Sequence, residues 1–352
     1  MAKEKLHEMP ITRGSYQVKG ITKGVQKPTF YTEKKTKTDK DFRSINFGVE
    51  YNTNKTVYMS LNGMIRDKVY FSKKDDKNKT VIKDVPWANR VSGATDGFRM
   101  IGGVNVGLTK MTDSNGNSVN DKKILAEYDA CSYINQTMKD DMSVFVRGQM
   151  EFSSFVNKNG DVSRSTKFVP NQISLCKEVD FESEDYNETH DFTQTIVFMG
   201  IDQEKVEEKP TGRFVVEAKI VNYNSIESAE FIVEDVKFAN QLRKGLKPYW
   251  AIEVHGKINV VNVIETVEND DCWGDDNPME RVAAPTKREL VITGAKPSTI
   301  DKESYTEEKI NDAIRKQNVS RAAEENFNGK ADKSNDDSWN VDDGFEEEDV
   351  DW

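Results

Sequence analysis

The sequence predicts an all-β protein, mainly antiparallel, with two small barrels followed by a helix and an acidic tail. Apolar and polar residues alternate through most of the first 180 positions, and glycine and asparagine turns interrupt the alternation. A period of two is typical of half-buried strands, whereas a helix repeats about every 3.6 residues. The length of 352 residues allows roughly two domains of about 150 residues each. We therefore predict two successive β domains.

The first domain is placed at residues 15–178, after an N-terminal arm at 1–14. Its pattern predicts strands at Tyr16–Gly20, Ile45–Tyr51, Val57–Leu61 and Val144–Phe152. The two middle strands are separated by a short turn and place their apolar residues on the same face, so they are predicted to form a hairpin. Between about 66 and 141 the alternation breaks into lysine-rich and glycine-rich pieces. This break indicates an inserted, partly irregular excursion from the barrel.

The second domain is placed at residues 195–300, after a hydrophilic linker at 179–194. Its strand-like runs are at 195–200, 213–221, 229–236, 249–265 and 289–294. The run Val254–Ile258 repeats the pattern of Val146–Met150, a short echo that favours two related units. Ser304-x-x-Glu307 resembles a helix capping box, so a short helix is predicted within 301–326.

The C-terminal segment, residues 327–352, is predicted to be a disordered acidic tail. Its last twenty-one residues contain ten carboxylates, one lysine and three aromatic residues. A segment with so much like charge buries too little apolar surface to offset its chain entropy. We interpret it as a partner-docking tail whose contacts come from Trp339, Phe345, Asp349, Asp351 and Trp352. The alternative is a tail that serves only solubility.

Charge is distributed unevenly along the chain. The net charge is −11 at pH 7, which by itself argues against a polyanionic partner. Residues 1–90, however, contain twenty Lys and Arg against ten Asp and Glu, and the acidic excess lies beyond residue 178. A basic first part of the chain favours contact with phosphates.

Binding of a single nucleic-acid strand requires cations for its phosphates and exposed aromatic rings for its bases. The first domain supplies both in outward strand positions and in a lysine-rich loop. The candidate residues are Lys19, Lys23, Lys34, Lys35, Lys37, Arg43, Tyr58, Trp87, Arg90, Phe145, Arg147, Phe155 and Lys158. Each has an alternative: a solvated loop for the lysine run, cross-strand packing for Tyr58, anchoring of the insertion for Trp87, and cover by the insertion for the phenylalanines.

The stretch from Val144 to Gly160 resembles the central hairpin of bacterial and phage single-stranded-DNA-binding proteins. In that family a strand ending in Gly-x-Leu/Met is followed by an aromatic residue and then by Asp or Asn and Gly at the turn. Gly148-x-Met150, Phe155 and Asn157–Gly160 match this pattern. The acidic segment 342–352 is similar to the family's C-terminal tail. The resemblance implies an OB-fold-like five-stranded barrel, Phe155 as a base-stacking residue, and a tail that recruits replication proteins.

The chain also departs from that family. The first domain carries a long insertion, and a second β domain, OB-like in its strand content, stands where the family has a low-complexity linker. A bacterial-type tetramer is therefore not expected, and a monomer or dimer of phage type is favoured.

The leading hypothesis is a sequence-independent single-stranded-DNA-binding protein of replication, recombination or repair. No metalloprotease, phosphate-loop or nucleophile-elbow motif occurs, and His7, His190 and His255 are scattered. We expect no enzyme activity, cofactor or metal site, and the three separated cysteines indicate no disulfide framework. With no apolar run of about 18 residues and no leader-like start, we expect a cytoplasmic location, in a host cell if phage-encoded, and no membrane partner. The alternative is an OB-fold protein–protein adaptor or recombination mediator that does not itself coat DNA.

Overall fold

A computed structural model describes residues 6–36, 38–156, 162–206, 208–264 and 283–328. Most of the described chain is in strands, as the alternation predicts. The strands are β1 (Gly14–Lys23), β2 (Tyr31–Lys35), β3 (Asp41–Asn52), β4 (Lys55–Met64), β5 (Lys68–Lys74), β6 (Thr80–Pro86), β7 (Arg99–Met100), β8 (Val104–Gly107), β9 (Lys110–Thr112), β10 (Ser118–Asn120), β11 (Lys123–Leu125), β12 (Ser143–Val156), β13 (Val162–Leu175), β14 (Thr189–Val206), β15 (Lys209–Val221), β16 (Ile226–Val233), β17 (Ala251–Ile264) and β18 (Ala283–Asp301). The helices are α1 (Glu127–Thr137), α2 (Val236–Gly245) and α3 (Glu307–Asn328), with one 3-10 turn at Trp87–Asn89.

The first barrel is built from β1, β3, β4, β12 and β13. The antiparallel pairs are β1–β3, β3–β4, β1–β12 and β12–β13, and β13 lies beside β4. Helix α1 stands between the third and fourth strands of this set. This is the strand order of an OB-fold. The predicted all-β, OB-like barrel is confirmed, and Ile45, Phe47 and Val49 point into its core as the alternation indicated.

The second barrel repeats this arrangement with β14, β15, β16, β17 and β18. Strand β14 pairs with β15 on one side and with β17 on the other, and β16 and β18 are parallel. Helix α2 again follows the third strand, and the Asp235 side chain caps it by accepting hydrogen bonds from two backbone amides. Its last turn carries Arg243 and Lys244, whose charge suits the negative end of the helix dipole.

The short sequence echo marks equivalent positions in the two barrels. Gly148 in β12 and Gly256 in β17 both lie at a register shift against the following strand. A Cβ at Gly148 would lie 2.0 Å from the Val169 carbonyl oxygen, and a Cβ at Gly256 would lie 1.9 Å from that of Val291. Both barrels therefore place a glycine of the fourth strand opposite a bulge in the fifth strand, where no side chain fits.

The two barrels are joined edge to edge through their first strands. Strand β1 pairs antiparallel with β14, and Tyr16 stands opposite Phe192. Each of these aromatic residues also stands opposite the bulge glycine of its own barrel. The pairing therefore relates the barrels by an approximate two-fold axis. In the described residues it creates one continuous sheet of thirteen strands.

A buried histidine lies at this junction. The ring of His190 in β14 stacks on Tyr51 of the first barrel, with ring centroids 4.2 Å apart and planes 9° apart. Nδ1 donates to the Ile258 carbonyl oxygen at 2.8 Å, and Nε2 lies 3.4 Å from a Glu188 carboxylate oxygen. Burial, more than any other effect, lowers the pKa of His190, although the hydrogen bond to Ile258 acts in the opposite direction.

We predict that this histidine makes the fold less stable in mild acid. Because the pKa of the folded state is below the unfolded value of about 6.5, the unfolded chain binds the extra proton first. Stability contributed by His190 is therefore present above about pH 6.5 and is lost as the pH falls towards the folded pKa, by at most about 1.4 kcal/mol per pH unit. Urea unfolding at pH 7.5 and 5.5 measures this loss. His190→Gln should lose less stability between the two pH values, and an equal loss in both proteins would contradict the assignment.

The region predicted as an insertion contains more regular structure than its composition suggested. Strands β6, β5 and β7 form a separate three-stranded sheet, and β9 and β10 form a hairpin. Strand β8 pairs parallel with β13, which extends the barrel sheet. At the end of the predicted range, α1 contributes Ala130, Cys131 and Ile134 to the core of the first barrel. The boundaries given for the domains stay predictions.

The C-terminal helix packs on the second barrel and is longer than the predicted short helix. Ile310 and Ala313 are buried against Tyr305 and Ile226. The capping-box interpretation was wrong, because the oxygen of Thr306, not that of Ser304, accepts the hydrogen bond from the amide of Lys309. The amide of Ser304 instead donates to Asp301.

Within the described ranges no helix has the length and hydrophobicity that a bilayer span needs, and no three carboxylate, histidine or cysteine side chains gather as metal ligands. Cys131 and Cys176 are free thiols, while Cys272 lies outside the described residues.

Candidate nucleic-acid interface

The outer side of β2, β3 and β4 forms one polar and aromatic surface, which we call the front face. Cross-strand partners point to the same side of a sheet, and Lys34 pairs with Phe42, Ser44 with Asn62, and Gly48 with Tyr58. The front face is therefore made of Thr32, Lys34, Phe42, Ser44, Asn46, Tyr58, Ser60, Asn62 and Met64. In OB-folds the second and third strands and the loops beside them form the surface that binds oligonucleotides.

Two aromatic residues lie at opposite ends of the front face. Tyr58 packs over Gly48, where a Cβ would lie 3.2 Å from its ring. Phe42 is half-buried, and the ammonium of Lys34 lies 5.8 Å from its ring centroid. Glycine at position 48 thus leaves room for the tyrosine ring to rest on the sheet. An aromatic ring supported in this way can accept a stacked base.

A hairpin arm extends this surface. We call the part of β12 and β13 beyond the bulge, residues 149–156 and 162–169, the arm. Phe155 lies on its outer side, opposite Ser163, and is 54% exposed. Closer to the barrel, Lys167 stands opposite Glu151. Its Nζ lies 2.9 Å from the side-chain oxygen of Asn62 in the amide orientation that satisfies both groups, so the arm and the front face are contiguous.

The lysine-rich run was predicted to be a loop, but Lys34 and Lys35 lie in strand β2 at the edge of the front face, where the run is partly neutralised. Lys34 and Lys35 are exposed, and Lys35 forms an ion pair with Asp39 at 2.9 Å. Exposed ion pairs contribute little free energy, so this lysine can exchange its carboxylate for a phosphate. Arg43 is less available, because its guanidinium binds Glu33 at 2.9 Å and lies 3.9 Å from the ring centroid of Tyr128.

Three other predicted residues lie on the outer side of the sheet that joins the barrels. Lys19 of β1 stands opposite Phe145 of β12, and its ammonium lies 4.8 Å from the ring centroid of Tyr186 in the linker. Phe145 is half-buried and Arg147 is exposed. These residues are not part of the front face.

The remaining predicted cations form ion pairs with carboxylates of the protein. Lys23 pairs with Asp141 at 2.8 Å and with Glu50 at 3.5 Å. Arg90 binds both carboxylate oxygens of Asp129, at 2.6 and 2.8 Å, and its guanidinium lies 4.4 Å from the ring centroid of Trp87. Trp87 and Arg90 thus attach the insertion to α1, which favours anchoring over base stacking.

Several predicted residues cannot be placed. Lys37, Lys158 and the tail residues Trp339, Phe345, Asp349, Asp351 and Trp352 lie outside the described residues.

The structure adds Lys167, Asn62 and Met64 to the surface, and none of them was a candidate from the sequence. Phe42 was not a predicted site residue, although it shares the outward phase of Ser44 and Asn46. Alternation could have indicated its direction. The position of Lys167 beside Asn62 depends instead on how β13 closes the barrel next to β4, and no local pattern reports that.

The corresponding surface of the second barrel is different. On β15 and β16, Glu217 stands opposite Glu230, where the first barrel has glycine opposite tyrosine. Arg164 of the arm binds Glu230 at 2.9 Å. Carboxylates that face each other repel phosphates, and the arm already contacts this side, so the front face of the first barrel is the better candidate for a nucleic-acid interface.

No curated protein matches the chain. Among solved structures, a deletion mutant of the single-stranded-DNA-binding protein from Thermus aquaticus is similar at 9% identity with a TM-score of 0.36, covering 81% of this chain and 93% of that chain. The wild-type protein from Thermus aquaticus is similar at 8% identity with a TM-score of 0.35, covering 81% of this chain and 91% of that chain. Both are weak matches at the level of the fold. The model of the YorF family matches residues 14–329, and the chain therefore belongs to the YorF family.

Proposed function

We propose that the protein binds single-stranded DNA without sequence preference, through the front face and the arm. The observation that carries this proposal is Phe155, a large aromatic residue that is 54% exposed on an arm contiguous with a surface holding Tyr58, Phe42 and lysines. One exposed apolar side chain needs no explanation, but one that adjoins further aromatic residues and cations favours a binding role.

The chemistry of the surface suits a single strand. Base stacking on an aromatic ring is worth roughly 1 to 3 kcal/mol per base and tolerates every base. Lys34, Lys35 and Lys167 supply cations for phosphates, and the hydroxyl and amide groups between them can bind sugar or base edges. Because rings and phosphate contacts do not read base identity, the proposed binding is independent of sequence.

A salt-dependent titration tests this function. Anisotropy of labelled oligo(dT) should report binding, with log affinity falling against log salt by about 0.7 per phosphate contact. Lys34→Gln with Lys167→Gln should reduce that slope by about 1.4. Lys296→Gln, on an exposed lysine of the second barrel, is the matched control and should leave the slope unchanged. Absence of oligo(dT) binding at low salt would reject the function.

We also propose the wider role, as an accessory protein of DNA replication, recombination or repair that has no catalytic activity and works in the cytoplasm as a monomer or dimer. In this role the acidic tail recruits a polymerase, helicase or recombinase. Its abundance of carboxylates and its three aromatic residues support docking on a basic surface with apolar pockets. Capture of the same partners by a chain without residues 332–352 would refute the role of the tail.

A protein–protein adaptor is the second candidate, and one surface favours it. On the small sheet of the insertion, Tyr70, Ile82 and Ile101 are 46%, 60% and 50% exposed. The register places all three on one side, with Ile101 hydrogen-bonded to the carbonyl of Tyr70. Aliphatic side chains suit a protein partner better than bases. Loss of partner binding in Ile82→Ser with unchanged oligo(dT) affinity would assign this surface to a protein.

A further inference from the structure

A buried carboxylate links the arm to the second barrel and to the C-terminal helix. Glu227 of β16 is 3% exposed and accepts hydrogen bonds from the amide of Ser154 at 2.7 Å and from its hydroxyl at 2.5 Å. Two residues of α3 complete its surroundings. Gln317 Nε2 lies at 3.4 Å, and a guanidinium nitrogen of Arg321 lies at 3.2 Å.

Every polar group of Ser154 is engaged at this point. Its amide and hydroxyl bind Glu227, and its carbonyl oxygen accepts a hydrogen bond from Arg321 at 3.2 Å. Ser154 directly precedes Phe155, the exposed aromatic residue of the arm. Contacts from β16 and α3 therefore hold the residue next to that ring, in addition to the pairing of β12 with β13.

Such a cluster is not required for folding of a hairpin. A buried carboxylate is costly unless its oxygens are hydrogen-bonded or paired with a cation, and here the donors come from two separate elements. Gln317 also accepts a hydrogen bond from the Ile226 amide at 2.8 Å, which ties α3 to the start of β16. A second ion pair, Arg164–Glu230, holds the other strand of the arm at 2.9 Å.

We propose that Glu227, Gln317 and Arg321 are positioning residues that hold the arm so that Phe155 can stack on a DNA base. The inference rests on the proposed single-stranded-DNA binding and deepens it. An arm fixed before binding loses less conformational entropy when DNA arrives, which raises affinity. Helix α3 is thereby part of the binding site although it does not touch DNA. Its last described residue is Asn328, at the start of the segment 327–352 that is predicted to be the acidic tail.

The test is a double-mutant cycle in the full chain. Arg321→Ala should weaken oligo(dT) binding by about fivefold. This loss is smaller than the one expected for Phe155→Ala, which removes the ring itself. In the Phe155→Ala background the same change should have no further effect, because the residue that it positions is gone. Arg321→Lys, which keeps the charge near Glu227 but not the paired donors, should be intermediate. The matched control is Arg315→Ala, on a residue of the same helix whose ion pair within the described part of the chain is with Asp312 of that helix.

The outcomes separate the inference from the function on which it rests. Equal losses from Arg321→Ala in both backgrounds, or no loss in either, would overturn the positioning role while leaving DNA binding in place. If wild-type protein fails to bind oligo(dT), the proposed function fails. In that case, hydrogen exchange of the Ser154 amide still tests whether Glu227 and Arg321 hold the arm. Arg321→Ala should speed the exchange of this amide, and Arg315→Ala should not. Unchanged exchange in Arg321→Ala would show that Arg321 does not hold the arm.

Discussion

Phe155→Ala combined with Tyr58→Ala is expected to lower the affinity for oligo(dT) by about a hundredfold. Each ring removed should cost about 1.4 kcal/mol, within the range of roughly 1 to 3 kcal/mol per stacked base, and each such loss is about tenfold. Anisotropy titrations at one fixed salt concentration measure the effect. The salt slope should stay nearly constant, because the lysines that contact phosphates remain.

The design of this experiment separates stacking from folding. Phe155 is more than half exposed, so its removal creates no cavity in the core and the urea midpoint should change little. Phe155→Trp should retain affinity, since a larger ring still stacks. Tyr223→Ala is the matched control, because Tyr223 is 50% exposed in the turn between β15 and β16 of the second barrel. A comparable loss in Tyr223→Ala, or none in the double variant, would show that the front face is not the binding surface.

Gly148→Ala is expected to destabilise the fold by about 3 kcal/mol or more, the upper part of the usual range for overpacking. A Cβ at this position would lie 2.0 Å from the Val169 carbonyl oxygen and 2.7 Å from the ring of Tyr16. The carbonyl belongs to the neighbouring strand, so relief requires a shift of the backbone at the bulge. Urea unfolding followed by circular dichroism measures the change in the free energy of unfolding.

The second barrel provides an internal repeat of this prediction. Gly256→Ala should cost about as much, since the Val291 carbonyl oxygen would lie 1.9 Å from the new Cβ. Gly200→Ala is the control, because a Cβ there meets nothing within 4 Å, and its effect should be within about 0.5 kcal/mol. If Gly148→Ala and Gly256→Ala are both tolerated, the two bulges do not require glycine. The sequence echo then does not reflect a shared backbone contact in the two barrels.

Prediction from the sequence was most successful where a local period decides direction. The alternation in Ile45–Tyr51 and Val57–Leu61 correctly placed the inward residues of β3 and β4 and, by exclusion, the outward Tyr58. It failed for charged groups. Arg43 and Arg90 looked like free cations in a basic segment, yet both are paired with carboxylates and stacked on rings. A long charged side chain pairs with the groups that the fold brings near it, and those groups are distant in sequence.

By itself, the sequence determined the fold class, the inward and outward sides of the main strands, the outward direction of Phe155 and the equivalence of Gly148 and Gly256. These properties depend on the period of the backbone and on the space beside one residue, so they can be read locally. Tertiary structure alone decided which barrel offers an aromatic binding surface, how Lys167 joins it to the arm, and how Glu227 holds Ser154 from 73 residues away. Such contacts form only when the barrels close and their first strands pair, because closure brings together side chains that no sequence period relates.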